Sequence, residues 1–168
     1  MLLHYYQNKL SKIMKSNFNI ILFRPEIPSN TGNIIRLCSN TNSKLYIIEP
    51  ITFKLDHKSL IRAGLDYHDK VSIEKFVDIE SCLKKIGKTN LYLITKFGKK
   101  KYSDFNYHKG DSFLFGSESN GIKDLILSEQ YYREKVFIPM ARGNRSLNLS
   151  NTVSICIYEA LKQNKFEF

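Results

Sequence analysis

The stretch from Asn19 to Cys38, "NIILFRPEIPSNTGNIIRLC", joins an apolar run, a polar loop and an amphipathic segment. The run "NIILF" does not alternate between apolar and polar residues, which is typical of a parallel strand covered on both faces. The loop holds two prolines, which restrict the backbone, and three residues that can cap a helix. We therefore predict a strand at Asn19–Phe23 and a helix at Asn33–Thr41, with Arg36 projecting from its first turns.

The same alternation of strand and helix continues along the chain. Short apolar runs predict four more strands and a sixth, less apolar one, at Lys44–Ile48, Leu91–Thr95, Ser112–Phe115, Lys135–Ile138 and Lys70–Ile73. Amphipathic segments predict further helices at His57–Ala63, Val77–Ile86, Ile122–Glu129 and Leu149–Asn164. This order indicates a single α/β domain with a mostly parallel six-stranded sheet and helices on both faces.

Ligands of such folds bind beyond the carboxyl ends of the strands. We therefore expect the functional site in the loops that follow Phe23, Thr95, Phe115 and Ile138. The loop after Phe23 fits neither the Gly-x-Gly-x-x-Gly dinucleotide pattern nor the phosphate loop that ends in Gly-Lys-Ser/Thr. Taken by itself, it is also compatible with an ordinary strand-to-helix turn that carries a surface arginine.

Two other loops carry polar groups of their own. In "FGSESNGI", Gly116 and Gly121 flank Glu118, the only carboxylate of that turn, which indicates either a ligand-facing glutamate or a hairpin-like turn. In "IPMARGNRSLNLSNTVSICIYEA", Ser146, Asn148 and Ser150 offer more hydrogen-bonding groups than one helix start requires. We expect the surplus groups to face a polar ligand.

The charge of the chain favours a polyanionic partner. Its 168 residues suffice for one domain with a core, and its formal net charge is +10. Seven lysines and no carboxylate lie between Lys84 and Lys101, interleaved with Tyr92, Phe97 and Tyr102. Such a run can neutralise RNA phosphates, although it is also typical of a solvated surface that keeps a protein soluble.

The cysteines indicate a reducing compartment and no metal site. The three cysteines are far apart, lie in apolar segments and have no histidine at metal-ligand spacing, so we expect reduced core residues of a cytoplasmic protein. No run of about 18 apolar residues is present, so we expect no membrane span. We expect residues 1–18 to form a flexible N-terminal extension, and residues 19–168 to form the domain.

Four motifs together resemble the SPOUT class of RNA methyltransferases. They are, in order, "PEIPSNTGNIIRLC", "RAGLDYH", "FGSESNG" and "IPMARGNRSLNLSNTVSICIYEA". They are most similar to the branch that methylates the ribose 2′-hydroxyl of the wobble nucleotide in leucine tRNAs, and the likeness extends from about Asn19 to Gln163. It implies S-adenosylmethionine as methyl donor, a homodimer, a C-terminal trefoil knot and the anticodon stem-loop of tRNA as substrate. Another tRNA position, ribosomal RNA, or an RNA-binding module without turnover are the alternatives.

The resemblance also implies a set of site residues. The positions that match family residues important for catalysis are Asn30, Arg36, Glu118, Ser146 and Asn148. Those that match the donor pocket are Ile94, Gly116, Ile138, Ser146 and Leu147.

The chain departs from the family pattern at two positions of the second motif. Ser117 stands where relatives usually have proline, and Asn120 stands where they usually have arginine. The second change removes a phosphate contact, which Arg142 and Arg145 of the neighbouring loop could restore.

Overall fold

The computed structural model of the chain describes residues 16–54 and 72–168. The strands in this part of the chain are β1 Asn19–Phe23, β2 Lys44–Ile48, β3 Ile73–Phe76, β4 Leu91–Ile94, β5 Lys100–Lys101, β6 Ser112–Phe115 and β7 Glu134–Phe137. The α-helices are α1 Pro28–Thr41, α2 Ile79–Ile86 and α3 Leu149–Gln163. Single 3₁₀ turns lie at Tyr102–Asp104 and Glu129–Tyr131.

The strands form one sheet in the order β3-β2-β1-β6-β4-β7-β5. Each neighbouring pair of strands is parallel, which confirms the predicted α/β class and parallel sheet. The described sheet has seven strands rather than the predicted six. The additional strand, β5, pairs with β7 at the edge and has only two residues, too few for a recognisable sequence pattern.

Helices and loops cover both faces of the sheet, as predicted. One core cluster packs α1 and α3 against alternate residues of the central strands, such as Ile20 and Phe113. The other packs α2 and the segment that follows β6 against the opposite residues, such as Ile21 and Leu114. All residues of β1, β4 and β6 are buried, which explains their continuous apolar runs.

The three cysteines are free and buried, as predicted. Burial raises the pKa of each thiol, and that of Cys82 reaches about 12, so these side chains behave as apolar core groups. No cluster of three or more potential metal-ligating side chains occurs within residues 16–54 and 72–168. In the same ranges, every helix is too short or too polar to cross a bilayer.

The helix predicted at Ile122–Glu129 is wrong. This segment is a series of turns and extended residues that ends in a 3₁₀ turn. Leu125 and Leu127 point towards the core while Ile126, between them, is 92% exposed. The apolar spacing that suggests a helix therefore results from an extended chain whose alternate residues pack on the sheet.

Several predicted boundaries differ from those of the structure. α1 begins at Pro28, five residues before the predicted start, because proline fits the first position of a helix. α2 begins at Ile79 rather than Val77, since the Asp78 side chain accepts a hydrogen bond from Ser81 N and caps it.

Smaller shifts occur at the ends of other elements. β4 and α3 each end one residue earlier than predicted, and β7 lies one residue earlier. The described strand β3 starts at Ile73, the last residue of the predicted Lys70–Ile73. The predicted helix at His57–Ala63 and the motif "RAGLDYH" lie outside the described residues.

The packed part of the domain includes residues before β1. Asn17 and Phe18, which the sequence assigns to the extension, are both buried. Phe18 packs edge-on against Phe113 of β6, and Asn17 donates a hydrogen bond to the carbonyl of Thr41 at the end of α1. These contacts fasten the chain immediately before the first strand.

Candidate active site

A cavity of about 760 Å³ lies at the carboxyl edge of the sheet. It is lined by residues of the loops that follow β1, β4, β6 and β7, which are the four loops that the sequence predicts. Its volume falls within the range of about 300–1,000 Å³ that is common for small-molecule sites. The order of the parallel strands therefore collects four separate polar loops around one space.

Glu118, in the loop after β6, binds the start of α1. Its carboxylate accepts hydrogen bonds from the backbone N–H groups of Glu26 at 2.8 Å and Ile27 at 3.2 Å, and from Nδ2 of Asn30 at 2.8 Å. Ile27, the N-cap residue of α1, has no side chain that can cap the helix. Glu118 thus holds the backbone immediately before the helix and places a negative charge at the positive end of the helix, from 91 residues away in the sequence.

Asn30 connects this carboxylate to the loop before α3. Its Nδ2 donates to Glu118, while its Oδ1 accepts a hydrogen bond from Nδ2 of Asn148 at 2.9 Å. Oδ1 of Asn148 in turn accepts hydrogen bonds from the backbone N–H groups of Ser150 and Asn151 and caps α3. The Glu118–Asn30–Asn148 chain therefore fixes both amide orientations and joins the starts of two helices at the cavity.

A second contact joins the loop after β1 to the loop after β6, which carries Glu118. The carboxylate of Glu26, from the first loop, accepts hydrogen bonds from Oγ of Ser119 at 2.6 Å and from its backbone N–H at 3.2 Å. Each loop thus provides a glutamate that accepts hydrogen bonds from the other loop. Sequence reasoning missed Glu26 and Ser119, because the partners are 93 residues apart.

The loop that carries Glu118 closes where Gly116 and Ser117 meet Gly121. Ser117 and Gly121 exchange two backbone hydrogen bonds, of 3.0 and 2.9 Å. A Cβ atom added to Gly116 would overlap the backbone of Gly121, so the close neighbour of Gly116 is its own loop. The absence of a side chain at Gly116 is needed for this turn to close.

All but one of the residues implied by the family resemblance line the cavity: Asn30, Ile94, Gly116, Glu118, Ile138, Ser146, Leu147 and Asn148. The exception is Arg36, which is exposed on α1 and does not line it. Arg36 lies six residues beyond Asn30, or about 9 Å along the helix axis. The structure therefore brings the implied donor residues together and leaves Arg36 outside them.

The charged side chains that line the cavity are mostly cationic. Among the described residues they are Lys96, Lys123, Lys135 and Arg145, against one carboxylate, that of Glu118. Arg145 lines the cavity, whereas Arg142 does not. Asn120, which stands at the position of that arginine, donates a hydrogen bond to Asp124 at 3.3 Å.

The lysine run of the sequence does not form one surface. Lys84, Lys85 and Lys88 come just before β4, at the amino edge of the sheet, whereas Lys96 and the lysines after it follow β4 at the opposite edge. Of the whole run, Lys96 alone lines the cavity. The sequence did not single out Lys123 and Lys135, because they are isolated lysines whose positions depend on the folded loops.

Replacing Gly116 with valine is expected to weaken donor binding by at least about tenfold and to lower the melting temperature. The valine side chain would open the turn between Ser117 and Gly121 and move Glu118 away from α1. Calorimetric titration with S-adenosylmethionine, together with a thermal melt, measures both effects. Wild-type affinity in a folded Gly116→Val protein would mean that this loop does not form the donor pocket.

Comparison with known proteins places these loops in a family. The chain matches the model of the SpoU rRNA Methylase family over residues 17–158. A tRNA (cytidine(34)-2′-O)-methyltransferase of Escherichia coli strain K12 is 45% identical over 145 residues, which are 86% of this chain and 92% of the relative.

Solved structures agree with this match. A structure from work on 2′-OH methylation of C/U34 on tRNA has a TM-score of 0.79 at 31% identity and covers 89% of this chain and 97% of its own. The SpoU methyltransferase AviRb from Streptomyces viridochromogenes, solved in complex with AdoMet, shares the fold, with a TM-score of 0.76 at 22% identity over 91% of this chain and 60% of its own. The resemblance predicted from the four motifs is confirmed: the chain belongs to the SpoU rRNA Methylase family.

Proposed function

We propose that this protein transfers a methyl group from S-adenosylmethionine to the ribose 2′-hydroxyl of the wobble nucleotide in leucine tRNAs. The observation that carries the proposal is the cavity where the Glu118–Asn30–Asn148 hydrogen-bond chain joins three of the motif loops. The relatives named as tRNA (cytidine(34)-2′-O)-methyltransferases, at 40–45% identity over most of their length, support the wobble position.

The residues present at the cavity fit the methyl donor. Ile94, Ile138 and Leu147 supply apolar walls of the kind that an adenine ring needs. Ser146, next to Leu147 in the sequence, adds a hydroxyl to the lining. When bound, S-adenosylmethionine would supply an electrophilic methyl group on a sulfonium. The task of this chain is then to exclude water and to hold the ribose hydroxyl in line with that methyl group.

The acceptor hydroxyl needs an orienting group and stabilisation of the charge that develops on its oxygen. Glu118 is committed to three hydrogen bonds with α1, so we assign it to positioning Asn30 and the helix rather than to taking the proton. Ser146 and Asn148, at the cavity, are in a position to contact the ribose. Arg36 does not line the cavity, so its assignment to the ribose-phosphate and the developing oxyanion comes from the family resemblance; a guanidinium is a poor general base.

Transfer of tritiated methyl groups to purified RNA tests the proposed class of activity. The protein is incubated with labelled S-adenosylmethionine and either bulk tRNA or bulk ribosomal RNA. Label in tRNA alone supports the proposal, whereas label in ribosomal RNA alone would make the chain a ribosomal RNA methyltransferase, as the name of its family indicates. Donor binding without label in either RNA would favour an RNA-binding module that has lost turnover.

We also propose that the protein is a homodimer that contacts itself through α3. Seven residues of this helix are buried within the chain, but Ile155 is only partly buried and Tyr158 is 47% exposed. Together they form an apolar strip on a helix whose other apolar residues are buried. A second copy of the chain would cover that strip, as the family resemblance implies.

Light scattering is expected to give about 39 kDa at micromolar concentration, twice the 19.6 kDa of one chain. Tyr158→Glu is expected to shift this mass towards the monomer, because it places a charge in the contact. Tyr131→Glu is the matched control, since Tyr131 is 49% exposed in a 3₁₀ turn distant in sequence from α3. A wild-type protein that is active and monomeric would refute the dimer.

The proposed function also has consequences for the RNA element, the cellular compartment and the fold of the C-terminal segment. The anticodon stem-loop is the proposed RNA element, and the cationic side chains at the cavity suit its phosphates. We place the protein in the cytoplasm, where tRNA is modified and where three buried cysteines stay reduced. The trefoil knot and the assignment of residues 19–168 to one methyltransferase domain remain proposals from the family resemblance.

A further inference from the structure

One exposed aromatic ring stands at the cavity. Phe97, in the loop after β4, is 64% exposed and lines the cavity. Of the three aromatic residues interleaved with the lysine run, Tyr92 is fully buried and Tyr102 is partly buried against the core. Phe97 alone among the three keeps most of its ring accessible beside the proposed reaction site.

The turn that carries Phe97 is held in place by the sheet. The backbone N–H of Phe97 donates to Oγ1 of Thr95 at 3.3 Å, and the N–H of Gly98 donates to the carbonyl of Thr95 at 3.2 Å. Gly98 lies directly against β7, since an added Cβ would be 2.6 Å from the carbonyl carbon of Val136. The ring is therefore presented by a turn that has little freedom to fold it away.

The charges around the ring are positive. The ammonium of Lys96 lies 5.2 Å from the centroid of the Phe97 ring. Lys100 is instead paired with Glu134 at 3.1 Å, and this hydrogen bond lowers the pKa of the glutamate. Lys96 and Lys135 line the same cavity as the ring, so an accessible aromatic face and cations occur together. Single-stranded nucleic acid is the ligand class that uses both, through its bases and its phosphates.

We propose that Phe97 is a stacking platform for an unpaired nucleobase of the RNA loop, adjacent to the nucleotide that is methylated, with Lys96 contacting a neighbouring phosphate. The inference rests on the proposed function, because it takes the RNA to be the tRNA anticodon loop. The reacting ribose must reach the donor among Ile94, Gly116 and Leu147, while Phe97 stands on the loop beside them. A flanking base is thus placed to lie on the ring and to hold the RNA loop at the site.

The test measures binding of an anticodon stem-loop RNA that carries 2-aminopurine at one unpaired position at a time. Stacking on Phe97 is expected to change the fluorescence of the 2-aminopurine at one position next to the wobble nucleotide. Phe97→Leu, which is apolar but not aromatic, is expected to abolish that signal and to weaken RNA binding about tenfold, whereas Phe97→Trp retains both. In turnover assays, Phe97→Leu is expected to raise KM for tRNA about tenfold and to leave kcat within about twofold of wild type.

The matched control is Phe168→Leu, which changes a 56% exposed phenylalanine that does not line the cavity. It is expected to bind RNA as the wild type does. Wild-type RNA affinity in Phe97→Leu overturns the stacking proposal, and so does a loss of calorimetric affinity for S-adenosylmethionine, which would mean that the ring covers the donor. A wild-type protein that binds the RNA through Phe97 but methylates no tRNA overturns the proposed function and leaves the stacking site intact.

Discussion

Replacing Glu118 with glutamine is expected to lower the melting temperature by about 4–8 °C and methyl transfer by about 10²-fold. The carboxylate accepts hydrogen bonds on both oxygens, one on Oε2 and two on Oε1. An amide keeps only one acceptor oxygen, so in either orientation at least one N–H donor faces an NH₂ group. Loss of charged hydrogen bonds at a helix start costs about 2 kcal/mol, and each kcal/mol shifts the melting temperature by about 2–4 °C in a chain of this size.

The loss of activity follows from geometry, because Asn30 and the loop of Asn148 lose their fixed partner and small displacements at a reaction site are costly. Glu26→Gln is the matched control: among the described residues, its carboxylate accepts only from the exposed Ser119, so we expect a change of about 2 °C or less. Thermal melts and single-turnover methylation measure both variants. Equal melting temperatures for the two would contradict the stabilising role of Glu118 at the start of α1.

Replacing Arg36 with lysine is expected to lower single-turnover methylation by roughly 10²–10³-fold. The substitution keeps the positive charge but removes the planar fork that can bind a phosphate or oxyanion with two hydrogen bonds. The size of the effect is that of losing one preorganised oxyanion donor. Donor affinity is expected to change little, because Arg36 is exposed on α1 and does not line the donor cavity.

Saturating tRNA in the single-turnover assay separates the roles that remain for Arg36. A Lys variant within about threefold of wild type would remove Arg36 from the reaction, as expected of an ordinary helix-surface arginine. A variant that higher tRNA concentrations restore fully would make it a binding residue. Arg24→Lys, on the exposed loop after β1, is a suitable control because Arg24 does not line the cavity either.

The sequence predicted the parallel sheet well because a strand that is buried on both faces needs a continuous run of apolar residues, which is visible in the sequence. The runs at β1, β2 and β6 are apolar throughout or nearly so, and their predicted bounds agree with the structure. The two-residue β5 has no such pattern. The segment after Gly121 misleads because Ile122 and Leu125 have helical spacing, but they belong to a single turn that continues into an extended stretch, where Leu125 and Leu127 pack on the core.

The site was predictable as a set of loops but not as a network of contacts. Local sequence suggests that the residues from Ser29 to Thr31 cap α1, whereas the structure extends the helix through them and Glu118 binds the backbone just before it. That exchange frees Asn30 to bridge Glu118 and Asn148. Sequence separations of about 90 and 118 residues hide these contacts from any local pattern.

Nucleoside mass spectrometry of leucine tRNA tests the central claim most directly. Unmodified leucine tRNA is incubated with the protein and S-adenosylmethionine, digested to defined fragments and examined for ribose methylation. The proposed function predicts a 2′-O-methyl group on the wobble nucleotide that is absent when the donor is omitted. Methylation confined to another nucleotide, or an unmethylated tRNA under conditions in which the donor binds, would contradict it.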